Sequence, residues 1–229
     1  KLHFRYWLSF IILIVLLLVF IFWNINSGSI SISLKDIFQI LFHKNGDETA
    51  YNIVWEIRLP RILAAVILGG ALSVSGFLLQ TFFGNPIAGP FVLGISSGAK
   101  LIVALTMIYL LGKSMVATSG LMILAAFTGS LISMGFVLLI SRKVKQMSML
   151  VVSGIMIGYI CSAITDFVVT FADDSNIVNL HNWSLGSFSG TSWDNVSVMA
   201  VVVFVALFLT FLMSKPISAY QLGEGYAQN

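Results

Sequence analysis

Six long apolar runs constrain the fold of this chain more than any other feature of its sequence. The runs cover residues 6–23, 62–83, 91–111, 115–140, 149–171 and 196–213. A helix that crosses the hydrocarbon core of a bilayer needs about 20 mostly apolar residues, so each run is long enough. Only 9% of the residues are charged, compared with roughly 25% in a soluble domain. The sequence therefore predicts an all-α, polytopic transmembrane helical bundle with six spans in the lipid bilayer, and it excludes a water-soluble domain.

The prolines mark the ends of the predicted spans. All of them lie at the edges of apolar runs, at Pro60, Pro86, Pro90 and Pro216. This placement is expected where interior backbone must keep its own hydrogen bonds in lipid. Pro60 fits the first turn of the second span, because the N–H that proline lacks has no helical partner at that position.

The loops predict an orientation with the N-terminus in the cytoplasm. Threading from that side places Arg142, Lys143 and Lys145 in a short cytoplasmic loop, and Asp173 and Asp174 outside, as the positive-inside rule requires. Basic residues in the first outer loop, residues 24–60, weaken this bias. A cleaved signal peptide is the alternative for the first run, but no small-residue cleavage site follows it.

The first outer loop contains one predicted short helix. Ser33 is placed to cap it, and apolar residues then recur at helical spacing, at Leu34, Ile37, Phe38, Leu41 and Phe42. We expect this amphipathic helix to lie on the membrane surface.

Several functional classes find no support in the sequence. The net charge is +3, but the basic residues are scattered and form no stripe, so we expect no nucleic-acid partner. The three histidines show no metal-ligand spacing, and Cys161 has no partner for a disulfide within the chain. Neither a catalytic constellation nor a phosphate-binding loop is present. We therefore predict no catalytic residues, no metal site and no cofactor.

Lys100 and Asp166 are the ionisable residues that lie well inside predicted spans, which makes each a functional candidate. At 1.5 Å per residue they lie roughly 13 Å and roughly 25 Å from the cytoplasmic ends of their helices, so an ion pair would require snorkelling. We interpret Lys100 as reaching toward an interface and Asp166 as facing a wet vestibule. A proton relay is the alternative.

Small residues are frequent in the second, third and fifth spans and predict close helix packing. GxxxG spacing occurs at Gly94 and Gly98 and again at Gly154 and Gly158. The second span contains a further series at Gly69, Gly70, Ser73 and Gly76.

Six sequence pieces together resemble the FecCD family of permease subunits. Four of them lie close together: residues 58–61 (RLPR), 69–80, 85–88 (NPIA) and 94–99 (GISSGA). Two later pieces agree, residues 183–187 (WSLGS) and 222–227 (LGEGYA). Members of this family are the membrane subunits of ATP-driven importers for iron siderophores, haem and cobalamin.

The resemblance implies an architecture and a set of partners. A family subunit has ten transmembrane helices, so residues 1–229 would form a single transmembrane permease domain, truncated before its last four helices. Two permease subunits, identical or related, would form the pathway. Two ATP-binding cassette subunits would dock on the cytoplasmic side and an extracytoplasmic substrate-binding protein on the other.

The resemblance also implies roles for individual residues. Arg58 and Arg61 would meet acidic side chains of the binding protein. Leu222, Gly223, Glu224 and Ala227 would belong to the segment that couples to the ATPase. Residues 149–171 and 176–188 would line the pathway, with its polar positions at Ser153, Ser162, Thr165 and Asp166, while Met147 and Ser148 would lie at the gate. The role of Lys100 stays open, because the family has small or apolar residues at that position.

The sequence thus predicts a permease subunit, not an enzyme, in the cell membrane, with ATP hydrolysis by a separate subunit. Which chelate passes is left open. An ion-coupled secondary transporter of a small solute is the alternative, because such carriers also have packed small residues and interrupted helices.

Overall fold

The computed structural model describes residues 2–28, 30, 32–43, 47–91, 93–112, 118–144 and 147–221, and their regular secondary structure is entirely helical. Five helices precede the middle of the chain: α1 (Leu2–Asn26), α2 (Leu34–His43), α3 (Glu48–Asn52), α4 (Leu59–Phe83) and α5 (Ile95–Gly112). The others are α6 (Ser119–Ser141), α7 (Met147–Val169), α8 (Asp174–Leu185), α9 (Trp193–Leu212) and α10 (Ser214–Gln221). The predicted all-α class is confirmed.

Among the described residues, five helical stretches are long and apolar enough to cross a membrane. They are His3–Asn26, Glu48–Phe83, Gly120–Ser141, Met149–Val169 and Trp193–Leu212. The third predicted span, residues 91–111, is helical only from Ile95, and its described apolar part, Ile95–Leu110, is shorter than the other five. Gly94, which has a φ of 71°, lies directly before α5, and the helix does not extend through it because a left-handed residue does not continue a right-handed helix.

Pro60 lies in the first turn of α4, as predicted, but α4 continues a helical stretch that begins earlier. A continuous helical stretch begins at Glu48 and reaches Phe83. A π-helical segment, Ile53–Arg58, joins α3 to α4, and the N–H of Leu59 donates to the carbonyl of Val54. The π segment ends two residues before Pro60, which has no N–H to donate. The backbone hydrogen bond that Pro60 cannot make is therefore absent where the helix changes from the wider π spacing to the α spacing.

The predicted loop helix is confirmed as α2. The Asp36 N–H donates to Ser33 Oγ at 3.2 Å, and the Ser33 hydroxyl lies 2.7 Å from Asp36 Oδ2. These contacts satisfy backbone and side-chain groups at the helix start. Ile37 and Ile40 on the apolar face of α2 are buried.

The helices form two compact units. Unit 1 comprises Lys1–Gly70 and Phe188–Ala206, and unit 2 comprises Ala71–Ser187 and Leu207–Asn229. The core of unit 1 contains six buried aliphatic residues, Ile25, Ile32, Ile37, Ile40, Val54 and Ile62. Unit 2 has two clusters. One is built around Val103, Met107 and Leu180, and the other around Leu93, Val137 and Leu150.

Within unit 2, α5 approaches α6 and α7 at the distance of backbone contact. A Cβ added at Gly98 would lie 2.7 Å from the carbonyl oxygen of Gly129, and one added at Gly94 would lie 2.6 Å from that of Gly154. A Cβ at Gly158 would lie 3.1 Å from Gly94 Cα. The glycine pairs Gly94/Gly98 and Gly154/Gly158 therefore pack as the sequence predicts.

The small residues of α4 behave differently. A Cβ added at Gly70 or at Gly76 would meet no atom within 4 Å in the described part of the chain. The prediction of close packing is therefore not met at these two positions.

Because α6 contacts α5 at Gly129 but not at Gly135, we expect alanine substitutions at these two glycines of α6 to change the stability differently. Gly129→Ala places a methyl group less than 3.0 Å from the Gly98 carbonyl, so we expect it to destabilise the chain by about 1–3 kcal/mol through overpacking. Gly135→Ala meets no atom within 4 Å and should stabilise the helix by up to about 1 kcal/mol. Unfolding in mixed micelles, followed by circular dichroism, measures both. Equal stability of the two variants would contradict the packing.

Candidate functional site

Arg58, the last residue of the π segment, is buried and its guanidinium is bonded to backbone. Its side chain is 7% exposed. Nη1 donates to the carbonyl of Ile25, and Nη2 donates to that of Ile30 at 2.6 Å. A Cβ added at Gly28 would lie 2.5 Å from Nη2, so the chain after α1 passes directly over the guanidinium. A buried charge needs such partners to offset its desolvation.

Arg61, one turn further along α4, is half-buried and only partly bonded. Its Nη2 donates to the carbonyl of Ser189 at 2.8 Å, just before α9. Its Nε is buried and has no hydrogen-bond partner among the described residues. Of the two arginines predicted to dock a partner protein, Arg61 therefore keeps a donor that is not used in this part of the chain, while Arg58 holds a loop.

Aromatic contacts fix the start of α9 beside the π segment. Trp193 Nε1 donates to the carbonyl of Trp55 at 2.9 Å, and the two indole rings lie 6.0 Å apart. Together with the contact between Arg61 and Ser189, this places the beginnings of α4 and α9 side by side in unit 1. Alternate threading of six spans requires the second and the sixth to begin on the same side of the membrane, and these contacts agree with it.

Unit 2 contains a polar groove between α5, α7 and α8, which we call the serine groove. Its volume is about 500 Å³, and eight residues line it: Phe91, Ser96, Ser97, Ala99, Lys100, Ser162, Trp183 and Ser184. A second cavity of about 310 Å³ shares Phe91, Ser97 and Ser162 and adds Tyr159. Ser162 donates to Ser97 across the two helices at 3.4 Å.

Helix α8 closes one side of the groove because it turns back along α5. It follows the end of α7 after a short turn, and its Leu180 packs with Val103 and Met107 of α5. One turn later, Trp183 and Ser184 line the same cavity as Lys100, nearer the beginning of α5. With 12 residues, α8 is about 18 Å long and too short to cross a bilayer.

The composition of the groove indicates what it faces. A lysine and serine hydroxyls on a surface against lipid tails would be costly. The hydroxyls of Ser162 and Ser184 have partners within the chain, but the Lys100 ammonium has none among the described residues and needs water or another protein surface. The serine groove is therefore a polar face of an otherwise apolar bundle, suited to an aqueous pathway between helices.

The residues predicted to line a pathway fall in different places. Ser162 lies in the groove. Thr165 is 1% exposed and donates to the carbonyl of Cys161 at 2.8 Å, and Ser153 donates to that of Met149 at 2.8 Å. Asp166 is exposed and lines neither cavity. The side chains of Met147 and Ser148 lie outside the described residues.

The structure adds groove residues that the sequence analysis did not assign to the pathway, chiefly Lys100, Ser96 and Ser97. The signal for Lys100 was present, because it is a cation inside an apolar run. Its environment depends on the return path of α8, which no local pattern reveals.

Helix α10 leads into the predicted coupling segment. Tyr220 stacks on Phe82 at the end of α4 with ring centroids 6.2 Å apart, and its hydroxyl donates to the Phe82 carbonyl at 3.4 Å. Gln221 Nε2 donates to Thr81 Oγ1 at 3.2 Å. The coupling residues Leu222, Gly223, Glu224 and Ala227 lie outside the described residues.

No group of three or more His, Cys, Asp or Glu side chains that could hold a metal ion occurs in the ranges that the structure describes.

Comparison with known sequences identifies the family. Residues 16–229 match the FecCD transport family. The chain belongs to this family. It is 31% identical over 213 residues to the hemin transport system permease protein HmuU of Yersinia pestis, covering 93% of this chain and 63% of HmuU. It is 37% identical over 172 residues to the vitamin B12 import system permease protein BtuC of Klebsiella pneumoniae, covering 75% of this chain and 50% of BtuC.

A solved structure of an inward-facing, metal-chelate type ABC transporter has the same fold. The TM-score is 0.77 at 22% sequence identity, and the match covers 94% of this chain and 65% of that chain. The present chain thus spans between half and two thirds of the length of the FecCD relatives that it matches, and it is a multi-pass membrane protein of that family.

The contacts of Arg58 predict a structural effect of a conservative substitution. Arg58→Lys keeps the charge but cannot reach two separate carbonyls as the planar guanidinium does. We expect a loss of stability of about 1–3 kcal/mol and faster amide hydrogen exchange between residues 24 and 33. Arg142→Lys, at an exposed turn, serves as the control. Unchanged exchange in the Arg58 variant would show that its guanidinium does not hold this loop.

Proposed function

We propose that this chain is the membrane-spanning permease portion of an ATP-driven importer in the cytoplasmic membrane. It takes up an iron-siderophore, haem or cobalamin-type chelate that a substrate-binding protein delivers from outside the cell. The single observation that carries the proposal is the match of residues 16–229 to the FecCD transport family. The names of HmuU and BtuC, a hemin and a vitamin B12 permease, define the range of cargo.

The size and polarity of the proposed cargo explain why a protein pathway is needed. A metal chelate is large and polar, so it cannot cross hydrocarbon without a hydrated path. Two permease subunits, identical or related, enclose that path between them, and their rocking opens it to one side at a time. The chain provides no nucleotide-binding loop, so two separate ATP-binding cassette subunits supply the energy.

The serine groove is our candidate for this subunit's part of the path. Its hydroxyls replace some hydrogen bonds that the cargo makes with water, while Phe91 and Trp183 offer apolar surface. Weak, distributed contacts suit a conduit, because tight binding would slow release. Met147 and Ser148, at the start of α7, are proposed gate residues, and Ser153, Thr165 and Asp166 are proposed to act further along the same helix.

The docking side follows from the proposed orientation. With the N-terminus in the cytoplasm, the beginnings of α4 and α9 lie outside. Arg61 is then proposed to meet a carboxylate of the binding protein through its guanidinium, which in the described residues is bonded only by Nη2 to the Ser189 carbonyl. Arg58, whose guanidinium is already bonded, is proposed to shape this surface by holding the loop after α1.

On the proposed cytoplasmic side, α10 is held against the end of α4 by Tyr220 and Gln221. We propose that Leu222, Gly223, Glu224 and Ala227, which follow α10 in the sequence, contact the ATPase and pass its movement through α10 to α4.

Transport by the full-length permease tests the proposal directly. Proteoliposomes that contain the complete complex should take up the chelate only with ATP and the binding protein, and an ionophore should not reduce the rate. Uptake that persists without ATP and collapses with the ion gradient would instead indicate a secondary transporter.

Charge reversal at Arg61 tests the docking surface. Arg61→Glu places a carboxylate opposite the acidic partner, so capture of the binding protein should weaken about tenfold, with the larger effect at low salt. Arg142→Glu makes the same charge change on the proposed cytoplasmic side and should leave capture unchanged. Unaltered affinity of the Arg61 variant, measured by surface plasmon resonance, would reject its docking role.

Cross-linking tests the coupling segment. With Cys161 replaced by serine, Glu224→Cys should form a disulfide, when an oxidant is added, with cysteines introduced along the ATPase surface. Thr49→Cys, on the proposed outer side of the membrane, should not. A scan that finds no contact at Glu224 or its neighbours would argue against coupling through this segment.

A further inference from the structure

We propose that Lys100 is a specificity-determining residue of the serine groove and that it selects cargo with a net negative charge. The inference rests on the proposed function and narrows its substrate class to anionic metal chelates.

The first argument is the charge of the groove. Among the described residues that line it and the adjoining cavity, Lys100 is the one charged side chain, and no aspartate or glutamate accompanies it. No hydrogen bond or ion pair joins its ammonium group to another part of the described chain. The positive charge therefore lacks a counter-charge within the described residues, and an anion is the ligand that would supply one.

The second argument is position. Lys100 lies five residues after the start of α5, which is about 7.5 Å along the helix axis. Its side chain lines the same cavity as Ser162 of α7 and Ser184 of α8. Side chains from three helices thus meet at this point of the groove. A charge in such a cleft acts more strongly than at an open surface, because its low-dielectric walls screen it less.

The third argument is recognition chemistry. The lysine ammonium has three N–H donors. The hydroxyls of Ser96 and Ser97, which donate to no other group in the described residues, can provide further donors, whereas those of Ser162 and Ser184 already donate within the chain. Carboxylate and catecholate oxygens accept such bonds, and the faces of Trp183 and Phe91 can contact the organic frame of a chelate. An ammonium group is a point charge without the fixed geometry of guanidinium, so it attracts anions of different shape. This property suits passage of the cargo.

A purely structural role of Lys100, as a cap for the last turn of α8, is less favoured. The Leu180 carbonyl already accepts from the Ser184 hydroxyl at 2.7 Å, and the Trp183 carbonyl accepts from the Gly186 N–H at 3.2 Å. These carbonyls therefore have partners without Lys100.

Transport of chelates that differ in charge tests the proposal. The full-length importer, with its ATPase and binding protein, is assayed in proteoliposomes with four probes. Haem carries two propionates and its dimethyl ester carries none. A ferric tricatecholate carries three negative charges and a ferric trihydroxamate carries none. We expect the transported probes to be anionic. Lys100→Met should lower their uptake about tenfold, which corresponds to the loss of one charged contact.

Control variants separate charge from structure. Lys100→Arg should retain most of the uptake, and Lys35→Met, at an exposed position of α2, should leave it unchanged. Transport of a neutral probe only, or an equal loss for neutral and anionic probes in Lys100→Met, would overturn the proposal. Absence of ATP-dependent uptake for every chelate would instead reject the proposed function.

Labelling rates measured without any chelate test whether Lys100 sets the electrostatic potential of the serine groove. With Cys161 replaced by serine, Ser96→Cys is labelled with an anionic and a cationic methanethiosulfonate reagent of similar size. We expect Lys100→Met to lower the ratio of anionic to cationic labelling rates about fivefold, since the attracting charge is removed. An unchanged ratio would show that Lys100 does not set the potential of the groove, and the proposal would fail.

Discussion

Direct backbone contact between helices is the constraint on which the rest of unit 2 depends. Where Gly98 meets Gly129 and Gly94 meets Gly154, no side chain separates α5 from its neighbours. In lipid, apolar side chains gain little by associating with each other, so close van der Waals contact and weak Cα–H···O bonds provide much of the attraction. The same contacts leave no room for adjustment, because the added atoms of any side chain would meet backbone.

This packing also creates the serine groove. Since α5 and α7 touch at glycines, the serines that follow on each helix come within hydrogen-bond distance, as Ser97 and Ser162 do. Helix α8 then completes the cavity from the third side. The small residues therefore have two effects: they hold the helices together, and they bring polar groups from distant parts of the sequence to one face.

Arg58 and Lys100 are both positively charged, but they have different surroundings. The guanidinium of Arg58 is enclosed by carbonyls of a loop and is part of the architecture of unit 1. The ammonium of Lys100 opens into a cavity without such partners in the described residues. The sequence separates their positions, because Lys100 lies inside an apolar run and Arg58 lies before one, but it does not show which groups each charge contacts. The difference arises from chain segments that are remote in sequence, residues 25–30 for Arg58 and residues 183–184 for Lys100.

By contrast, the cap at Ser33 and the ends of α9 depend on neighbouring residues, and the sequence predicts their positions to within a few residues.

The π segment before Pro60 has a consequence for the length of the chain. Each residue of an α-helix turns the backbone by about 100° about the helix axis. The number of residues in the π segment Ile53–Arg58 therefore sets the direction in which the side chains of α3 point relative to those of α4. Removing a single residue there would rotate α3 relative to α4 by roughly that angle. The indole of Trp55 would then point away from Trp193 even though neither tryptophan had been substituted. The number of residues in this segment, independently of their identity, is thus a determinant of the contact between the π segment and α9.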